Sequence, residues 1–303
     1  MTDRIMLLDT ASLYFRAFYG VPDKVKAPDG TSVNAARGLL DMIAKLVTTY
    51  EPTRLVACWD DDWRPAWRVA LLPTYKAHRV VEPVAAGPDL EEVPDPLQAQ
   101  IPVIRAALDV LGIPIVGAAA HEADDVIGTL ATRADAPVDI VTGDRDLFQL
   151  VDDERGIRVI YTARGMSNLE IVDDAAVFGR YGVHAAQYAD FAALRGDPSD
   201  GLPGVSGIGE KSAASLLSAC GSLDGIRSAV AEGTAGTAAQ RAKITAAAEY
   251  LDVAPTVVGV VRNLTLAPFD DHLRAVDHDA ATALAEEWNL GSSMTRALAA
   301  LPR

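Results

Sequence analysis

Cysteine is scarce in this chain: Cys58 and Cys220 are the two in 303 residues, and they lie far apart. That excludes a disulfide framework and points to a reducing, cytoplasmic setting. Cys58, inside an apolar run, reads as a small core residue. Aromatic residues make up only 6% while alanine is abundant, a balance that favours helices. No apolar run reaches the roughly 20 residues that a bilayer-spanning helix needs. The longest, Ile101 to Val116, is interrupted by Arg105, Asp109 and prolines, so no membrane partner is expected. A strand-like run begins almost at the N-terminus, so no signal peptide is expected either. Positive charge is the minority sign: 27 Lys and Arg stand against 42 Asp and Glu, a net −15. By itself that balance opposes binding of a polyanion. One segment runs the other way. Between Arg64 and Val81 the chain carries Arg64, Arg68, Lys76, His78 and Arg79 with no acidic residue, a local cationic patch.

Hydrophobic residues are half of the chain, enough to bury the core of one large domain or two smaller ones. Arg4 to Asp9, Arg54 to Asp60, Ile113 to Val116 and Val138 to Thr142 read as four strands. Helical spacing of apolar residues runs over Val33 to Tyr50, Leu97 to Leu111 and Glu122 to Arg133. Alternating strands and helices predict an α/β fold, a mainly parallel central sheet with helices on both faces. Prolines and a glycine across residues 82–96 (Pro83, Gly87, Pro88, Pro94, Pro96) predict a loop. After about residue 178 strand-like runs become rare and alanine-rich helical segments dominate. The predicted division is therefore 1–178, an α/β core, and 179–303, a helical region ending in one or two amphipathic helices.

Acidic residues recur at the predicted strand ends. Asp9, Asp60 and Asp144 are each the first acid after a strand; Asp146 follows in Thr142-Gly-Asp-Arg-Asp-Leu147; Glu122, Asp124 and Asp125 open a helix. Singly, each has an ordinary explanation as a helix cap or a dipole partner. Together they would meet at the carboxyl edge of the sheet, where functional groups of α/β proteins gather. So many carboxylates repel unless cations lie among them, and oxygen ligands without His or Cys suit Mg²⁺ or Mn²⁺. Two such ions can clamp the attacking and leaving oxygens of a phosphodiester.

The helical region supplies more. Arg195-Gly-Asp-Pro-Ser-Asp-Gly-Leu-Pro-Gly204 carries Asp197 and Asp200 in a turn-rich loop. Gly204-Val-Ser-Gly-Ile-Gly-Glu-Lys211 follows, with Gly204, Gly207 and Gly209 in a turn that opens a helix and Lys211 in its first turn. Such a turn aims N–H groups at an anion and grips nucleic-acid backbone without reading sequence. The plain alternative is a connector whose glycines allow positive φ.

These motifs, together with Tyr75-Lys-Ala-His-Arg79, resemble the 5′-nuclease family, which includes the N-terminal domain of bacterial DNA polymerase I and the flap endonucleases. The similarity runs from about Asp9 to about residue 250, in the family's motif order; no polymerase follows, so a stand-alone enzyme is expected. The resemblance implies a structure-specific DNA 5′-nuclease, exonuclease and flap endonuclease, acting in repair and replication on flaps, nicks, gaps and overhangs, with RNA–DNA ends as further substrates. It implies two or three Mg²⁺ or Mn²⁺ ions. Asp9, Asp60, Glu122 and Asp124 would hold one, and Asp144, Asp146 and Asp200 another, with Asp125 and Asp197 in support. Lys76 and Arg79 would neutralise charge on the scissile phosphate at the base of a helical arch over about 75–97, and Tyr75 would stack on a base. Arg16, in Tyr14-Phe-Arg-Ala-Phe-Tyr19, would contact phosphate. A helix–three-turn–helix element at about 185–220 would hold the duplex, with K⁺ on the carbonyls of Val205 and Ile208. A monomer in the bacterial cytoplasm, associated with the nucleoid, is the default.

The chain departs from the family pattern in places. Thr10 follows Asp9 where glycine is usual, and is expected to crowd the substrate or alter the turn. Asp61 and Asp62 add charge beside Asp60 and are expected to face solvent or touch a metal peripherally. Gly201 stands where asparagine is common, losing a side-chain hydrogen bond. Glu82, Asp89, Glu91 and Glu92 make the arch segment less cationic. Trp63 and Trp67 are expected to share a helix face, His121 to cap a helix or lie at the surface, and Arg296 and Arg303 to be surface charges. Two other functions compete. A non-catalytic DNA-binding module would have lost carboxylates, and none of the motif carboxylates is missing. An aspartate-nucleophile phosphatase would want a second aspartate where Ala11 stands.

Overall fold

A computed structural model describes residues 3–82, 84 and 88–301; Pro83, Gly87 and Arg303 lie outside the described residues. In chain order the strands are β1 (Ile5–Asp9), β2 (Arg54–Cys58), β3 (Val80–Glu82), β4 (Leu90–Glu91), β5 (Ile115–Val116), β6 (Val138–Thr142), β7 (Ile157–Tyr161) and β8 (Glu170–Val172). The helices of the first half are α1 (Thr10–Gly20), α2 (Asn34–Tyr50), α3 (Ala66–Leu71), α4 (Asp95–Gln98), α5 (Ile101–Val110) and α6 (Ala123–Arg133). Those of the second are α7 (Asp174–Tyr181), α8 (Tyr188–Arg195), α9 (Glu210–Cys220), α10 (Leu223–Ala231), α11 (Ala238–Ala246), α12 (Ala248–Val258), α13 (His278–Glu287) and α14 (Gly291–Ala300).

Six strands form one sheet in the order β5-β2-β1-β6-β7-β8, parallel throughout except for β8, which runs antiparallel to β7. All residues of β1, β2 and β6 are buried, as expected where helices cover both faces. Period-two alternation divides the core. Ile5 and Leu7 pack with α6 and the helical region, while Met6 and Leu8 pack with α1, α2 and α5. β1 is central, with β2 on one side and β6 on the other. The order in which strands are added therefore switches sides at β1, and the crevice beyond its carboxyl end is where a site is expected.

The helical region does not stand apart. Val205, Ile208, Leu217, Leu223 and Ile226 share one buried cluster with Ile5, Leu7 and Val138 of the sheet. The last two helices cross back: α14 packs on α2 and α13 on α5. Ala281 of α13, Met294 and Ala297 of α14, and Leu290 and Leu301 at the two ends of α14 join the cluster on the opposite face of the sheet. The pattern grouped them with the helical region because an apolar stripe does not say which surface it covers. Two strands of the sheet, β7 and β8, lie outside the four predicted from the sequence, although β7, Ile157-Arg-Val-Ile-Tyr161, has a strand's composition.

The arch differs most. Among the described residues, 75–97 hold no helical arch. A 3₁₀ turn over Ala77–Arg79 leads into an antiparallel ribbon of β3 and β4, and then α4 begins. The Trp63 indole donates to the Asp89 carbonyl at 2.7 Å and Arg64 pairs with the Asp89 carboxylate, pinning the ribbon to the body. The prolines restrict this segment, but they permit an edge ribbon as readily as a loop.

Candidate active site: a carboxylate cleft between sheet and helical region

The strand ends deliver their acids as the register requires. Asp9 closes β1 and caps α1, accepting from Ser12 N at 3.2 Å and from the Thr142 hydroxyl at 2.6 Å. Asp60, two residues past β2, accepts from Ala123 N at 2.8 Å, which ties it to the start of α6. Asp144 accepts from Asp146 N at 2.9 Å, and its own N–H donates to Thr142 Oγ1 at 2.9 Å. Thr142 thus links Asp9 to Asp144, a positioning role that sequence reasoning missed. Glu122 and Asp125 form a reciprocal capping box at the start of α6, which directs Asp124 into the same cleft as Asp9, Asp60, Glu122 and Asp144.

Burial and mutual repulsion act on this group. Burial, and then the charges of Asp60 and Asp144, push the Asp9 carboxyl up to about 7. Asp124 is pushed well up by burial and by Asp9, Asp144 and Glu122. Asp146 is pushed well up by burial and by Asp144, Asp200 and Asp197. Asp60 and Asp200 shift the same way, chiefly through burial. An all-oxygen donor set whose charged forms are this unfavourable fits hard divalent cations.

Cations of the chain answer part of that charge. Lys76 pairs with Glu122 from a left-handed backbone conformation, φ 47°. Burial opposes its charge, but Glu122, Tyr75 and Asp200 outweigh it and hold the ammonium well above the usual lysine range. The Lys76 N–H donates to the Asp200 carbonyl at 3.0 Å, and Arg79 donates to Asp200 Oδ1 at 3.2 Å and to the Ser199 carbonyl at 2.8 Å. The two basic residues and the loop of the helical region therefore meet at one point. Gly201 allows it. Its φ is +72°, and a Cβ there would stand 2.0 Å from the Thr74 carbonyl oxygen. The residue is a steric requirement of this junction, not simply a lost hydrogen bond.

Several other expectations need amending. Arg64 and Arg68 are not free to meet phosphate. Arg64 is held by Asp89, and Arg68, 2% exposed, engages Asp125 at 2.7 and 2.9 Å and Glu122 at 3.1 Å. Asp125 also accepts from Val261 N at 2.8 Å, so its charge is neutralised by an arginine. Asp197 is similarly occupied by Arg195 at 3.0 Å, Arg145 at 3.6 Å and Ser199 N at 3.0 Å. Tyr75 is 4% exposed, and its hydroxyl donates to Glu122 at 2.7 Å, so its ring is packed rather than presented to a base. Asp62 is buried at 7% and accepts from Arg64 N at 3.2 Å, whereas Asp61 is exposed. Thr10 is fully buried and its hydroxyl turns back to the Leu8 carbonyl at 3.4 Å, away from the cleft. Trp63 precedes α3 and shares no helix face with Trp67. Arg296 pairs with Asp41 at 2.7 Å. No sequence signal separates a buried arginine from an exposed one in a patch of like charge.

The loop between α8 and α9 turns through Gly204 (φ +67°) and Gly207 (φ +74°), with Ile208 N donating to the Val205 carbonyl at 2.9 Å. Gly209 is the N-cap of α9, and Lys211 in its first turn is exposed. Lys243 of α11 donates to the Gly207 carbonyl at 3.2 Å, a basic neighbour that the sequence did not associate with this turn. Among the described residues, one trio of ligand atoms lies within 4.8 Å of one another, Asp270, Asp271 and His272. It is a surface cluster in which Asp271 already pairs with Arg54 at 2.9 Å.

An acidic, oxygen-only cleft at the carboxyl edge of a parallel sheet, with Asp200 of the helical region against its Lys76–Arg79 wall, is the kind of site that divalent cations occupy in phosphodiester hydrolases. Comparison with known proteins is specific. Residues 4–182 match the family model of the 5′-3′ exonuclease N-terminal resolvase-like domain, and residues 183–281 that of the 5′-3′ exonuclease C-terminal SAM fold. The chain belongs to the 5′-3′ exonuclease family. It is 60% identical over 299 residues to a 5′-3′ exonuclease of Streptomyces coelicolor, covering 98% of this chain and 99% of that protein. It is 48% identical over 314 residues to one of Mycobacterium tuberculosis, covering 99% and 98%. DNA polymerase I of Mycobacterium bovis matches at 42% over 223 residues, 72% of this chain and 23% of that enzyme. The fold is shared with the T5 5′-exonuclease bound to zinc (TM-score 0.67, 18% identity, 98% of each chain). It is also shared with the catalytic core of Rad2 in complex with DNA (TM-score 0.62, 17% identity, 99% and 92%).

Proposed function

We propose that this protein is a divalent-metal-dependent DNA 5′-nuclease that removes nucleotides from 5′ ends and cuts 5′ flaps. The observation that carries this reading is the junction at Asp200, where the sheet-edge carboxylates, the Lys76–Arg79 turn and the loop preceding α9 converge. Asp9, Asp60, Glu122 and Asp124 would hold one Mg²⁺ or Mn²⁺, and Asp144, Asp146 and Asp200 a second. Such ions supply a deprotonated water as nucleophile and neutralise charge on the phosphodiester oxygens. Asp125 and Asp197, engaged by arginines, act as positioning residues for α6 and for the loop carrying Asp200. Lys76 and Arg79 meet the scissile phosphate and stabilise charge that develops on it. Gly204, Gly207, Gly209 and Lys211 grip duplex backbone as a helix–three-turn–helix element, with K⁺ on the carbonyls of Val205 and Ile208. Structured DNA is the substrate class, RNA–DNA ends are additional substrates, and the working form is a monomer in the cytoplasm. The test is a 5′-labelled flap duplex incubated with Mg²⁺ or Mn²⁺ and again with EDTA. Cleavage only with metal supports the reading, and cleavage that survives chelation overturns it.

A further inference from the structure

Asp144 and Asp146 flank an arginine. Arg145 is the N-cap of a 3₁₀ turn over Asp146–Leu150, and its carbonyl accepts from Phe148 N at 2.9 Å. Leu147 and Phe148 of that turn are fully buried, so the backbone at Arg145 is anchored in the core. The side chain is 40% exposed. Any ion held by Asp144 and Asp146 therefore has a solvent-accessible guanidinium on the residue between them.

That guanidinium is not used up by the fold. Among the described residues its only ion pair is with Asp197 Oδ2 at 3.6 Å, longer than a hydrogen bond. Asp197 does not depend on it. Arg195 donates to the same oxygen at 3.0 Å, and the N–H and hydroxyl of Ser199 donate to Oδ1. Arg195 is committed elsewhere as well, to the Gly196 carbonyl at 3.0 Å and to Glu210 at 3.3 Å. Arg145 is thus the cation of this corner that can turn to another anion.

The corner lies between the carboxylates and the glycine turn. Asp197 opens the loop that carries Asp200, and Gly204, Gly207, Gly209 and Lys211 follow it. Lys76 and Arg79 meet that loop at Asp200; Arg145 meets it at Asp197. A strand with its scissile bond at the carboxylates and its duplex at the glycine turn has phosphates between the two. A guanidinium presents paired N–H donors that match two oxygens of one phosphate. We propose that Arg145 is a substrate-binding residue, which leaves Asp197 to hold a phosphate of the cut strand on the 3′, duplex side of the scissile bond. The inference rests on the nuclease reading above.

The experiment is fluorescence anisotropy of a labelled 5′-flap duplex titrated with the full-length protein in EDTA, over about 50–200 mM salt. Arg145→Met weakens binding about tenfold, as expected for a charge-assisted contact, and flattens the salt slope by about 0.9, one phosphate contact. Arg145→Lys keeps the slope but recovers only part of the affinity, since a point charge lacks the paired geometry. Free Arg145→Met melts at the wild-type temperature, because Asp197 keeps Arg195. Flaps bearing one neutral methylphosphonate at successive positions 3′ to the cut locate the contact. At one position the replacement weakens wild-type binding and leaves Arg145→Met binding unchanged. With Mg²⁺ added, Arg145→Met raises KM more than it lowers kcat. An Arg145→Met protein that melts lower yet binds with wild-type affinity and slope would show a brace for Asp197 and overturn the proposal. So would methylphosphonate losses that are equal in both proteins at every position. A wild-type protein that does not bind the flap would sink the nuclease reading and this inference with it, whereas wild-type binding matched by Arg145→Met sinks the inference alone.

Discussion

Removing the guanidinium of Arg68 tests how the acidic site is held together. Arg68 is 2% exposed and donates to both oxygens of the fully buried Asp125, to Glu122 and to the carbonyls of Val257 and Gly259. Glu122 keeps Lys76 and Tyr75 when Arg68 is lost. Asp125 keeps only N–H donors and becomes a buried, uncompensated charge. Breaking such a pair from one side costs about 3–5 kcal/mol. Unfolding entropy of about 2.1 cal/mol/K per residue over 303 residues is about 0.6 kcal/mol/K. Arg68→Ala should therefore lower Tm by about 5–8 °C, read by calorimetry or by dye-based melting. Adding Asp125→Asn to that background removes the stranded charge and should recover part of the loss, so the two changes combine to less than their sum, with a coupling of about 0.5–3 kcal/mol. A Tm change under 2 °C for Arg68→Ala, or strictly additive effects, would refute the account of Asp125 as an arginine-neutralised anchor of α6.

Other outcomes follow from the same geometry. Asp124→Asn or Asp144→Asn should abolish cutting in a flap assay while leaving flap binding within a few-fold; normal cleavage by Asp144→Asn would remove it from the metal set. Lys211→Ala should flatten the salt dependence of duplex binding by about 0.9, and an unchanged slope would take Lys211 off the backbone. Gly201→Ala meets both a positive φ and the Thr74 carbonyl at 2.0 Å, so a fall in Tm of several degrees is expected; wild-type stability would show that the junction yields freely. The Asp9 carboxyl is raised from 3.8 to about 7, so its contribution to stability is fully present below pH 4 and is lost as pH rises toward 7. In EDTA the melting temperature should fall across that window, and Mg²⁺ should restore more of it at pH 8 than at pH 5; equal gains at both pH values would argue against cation binding at these carboxylates.

Much of this was legible in the residues because of where strands end. Asp9, Asp60 and Asp144 follow runs buried along their whole length, and parallel pairing carries all three to one edge. The capping pattern at Glu122 and Asp125 is local, so the start of α6 could be read directly. What depended on distant partners could not. Arg64 and Arg68 share a segment free of acids, yet they pair with Asp89, Glu122 and Asp125, residues 25–57 positions away. β8 is three residues long and depends on its pairing with β7, whereas β7, Ile157-Arg-Val-Ile-Tyr161, carries a strand's β-branched and aromatic composition in the sequence itself. The partners of α13 and α14 were not legible either: their apolar faces fit either surface, and only the fold sends them to α5 and α2.

How a chain of net charge −15 approaches DNA then has a narrower answer than a single basic patch. Two of the patch's three arginines are neutralised inside the protein, and Lys76 is tied to Glu122. Other cations are dispersed: Arg79 lies at the Asp200 junction, paired with its carboxylate, Lys211 and Lys243 at the glycine turn, and Arg16 and Lys45 in the cleft between α1 and α2. On the nuclease reading proposed above, substrate phosphates must also approach the acids at the sheet edge. Bound divalent ions would reverse the sign of that edge. On this arrangement metal contributes to holding the substrate as well as to cutting it, because without cations the acids repel the phosphates that the basic residues attract.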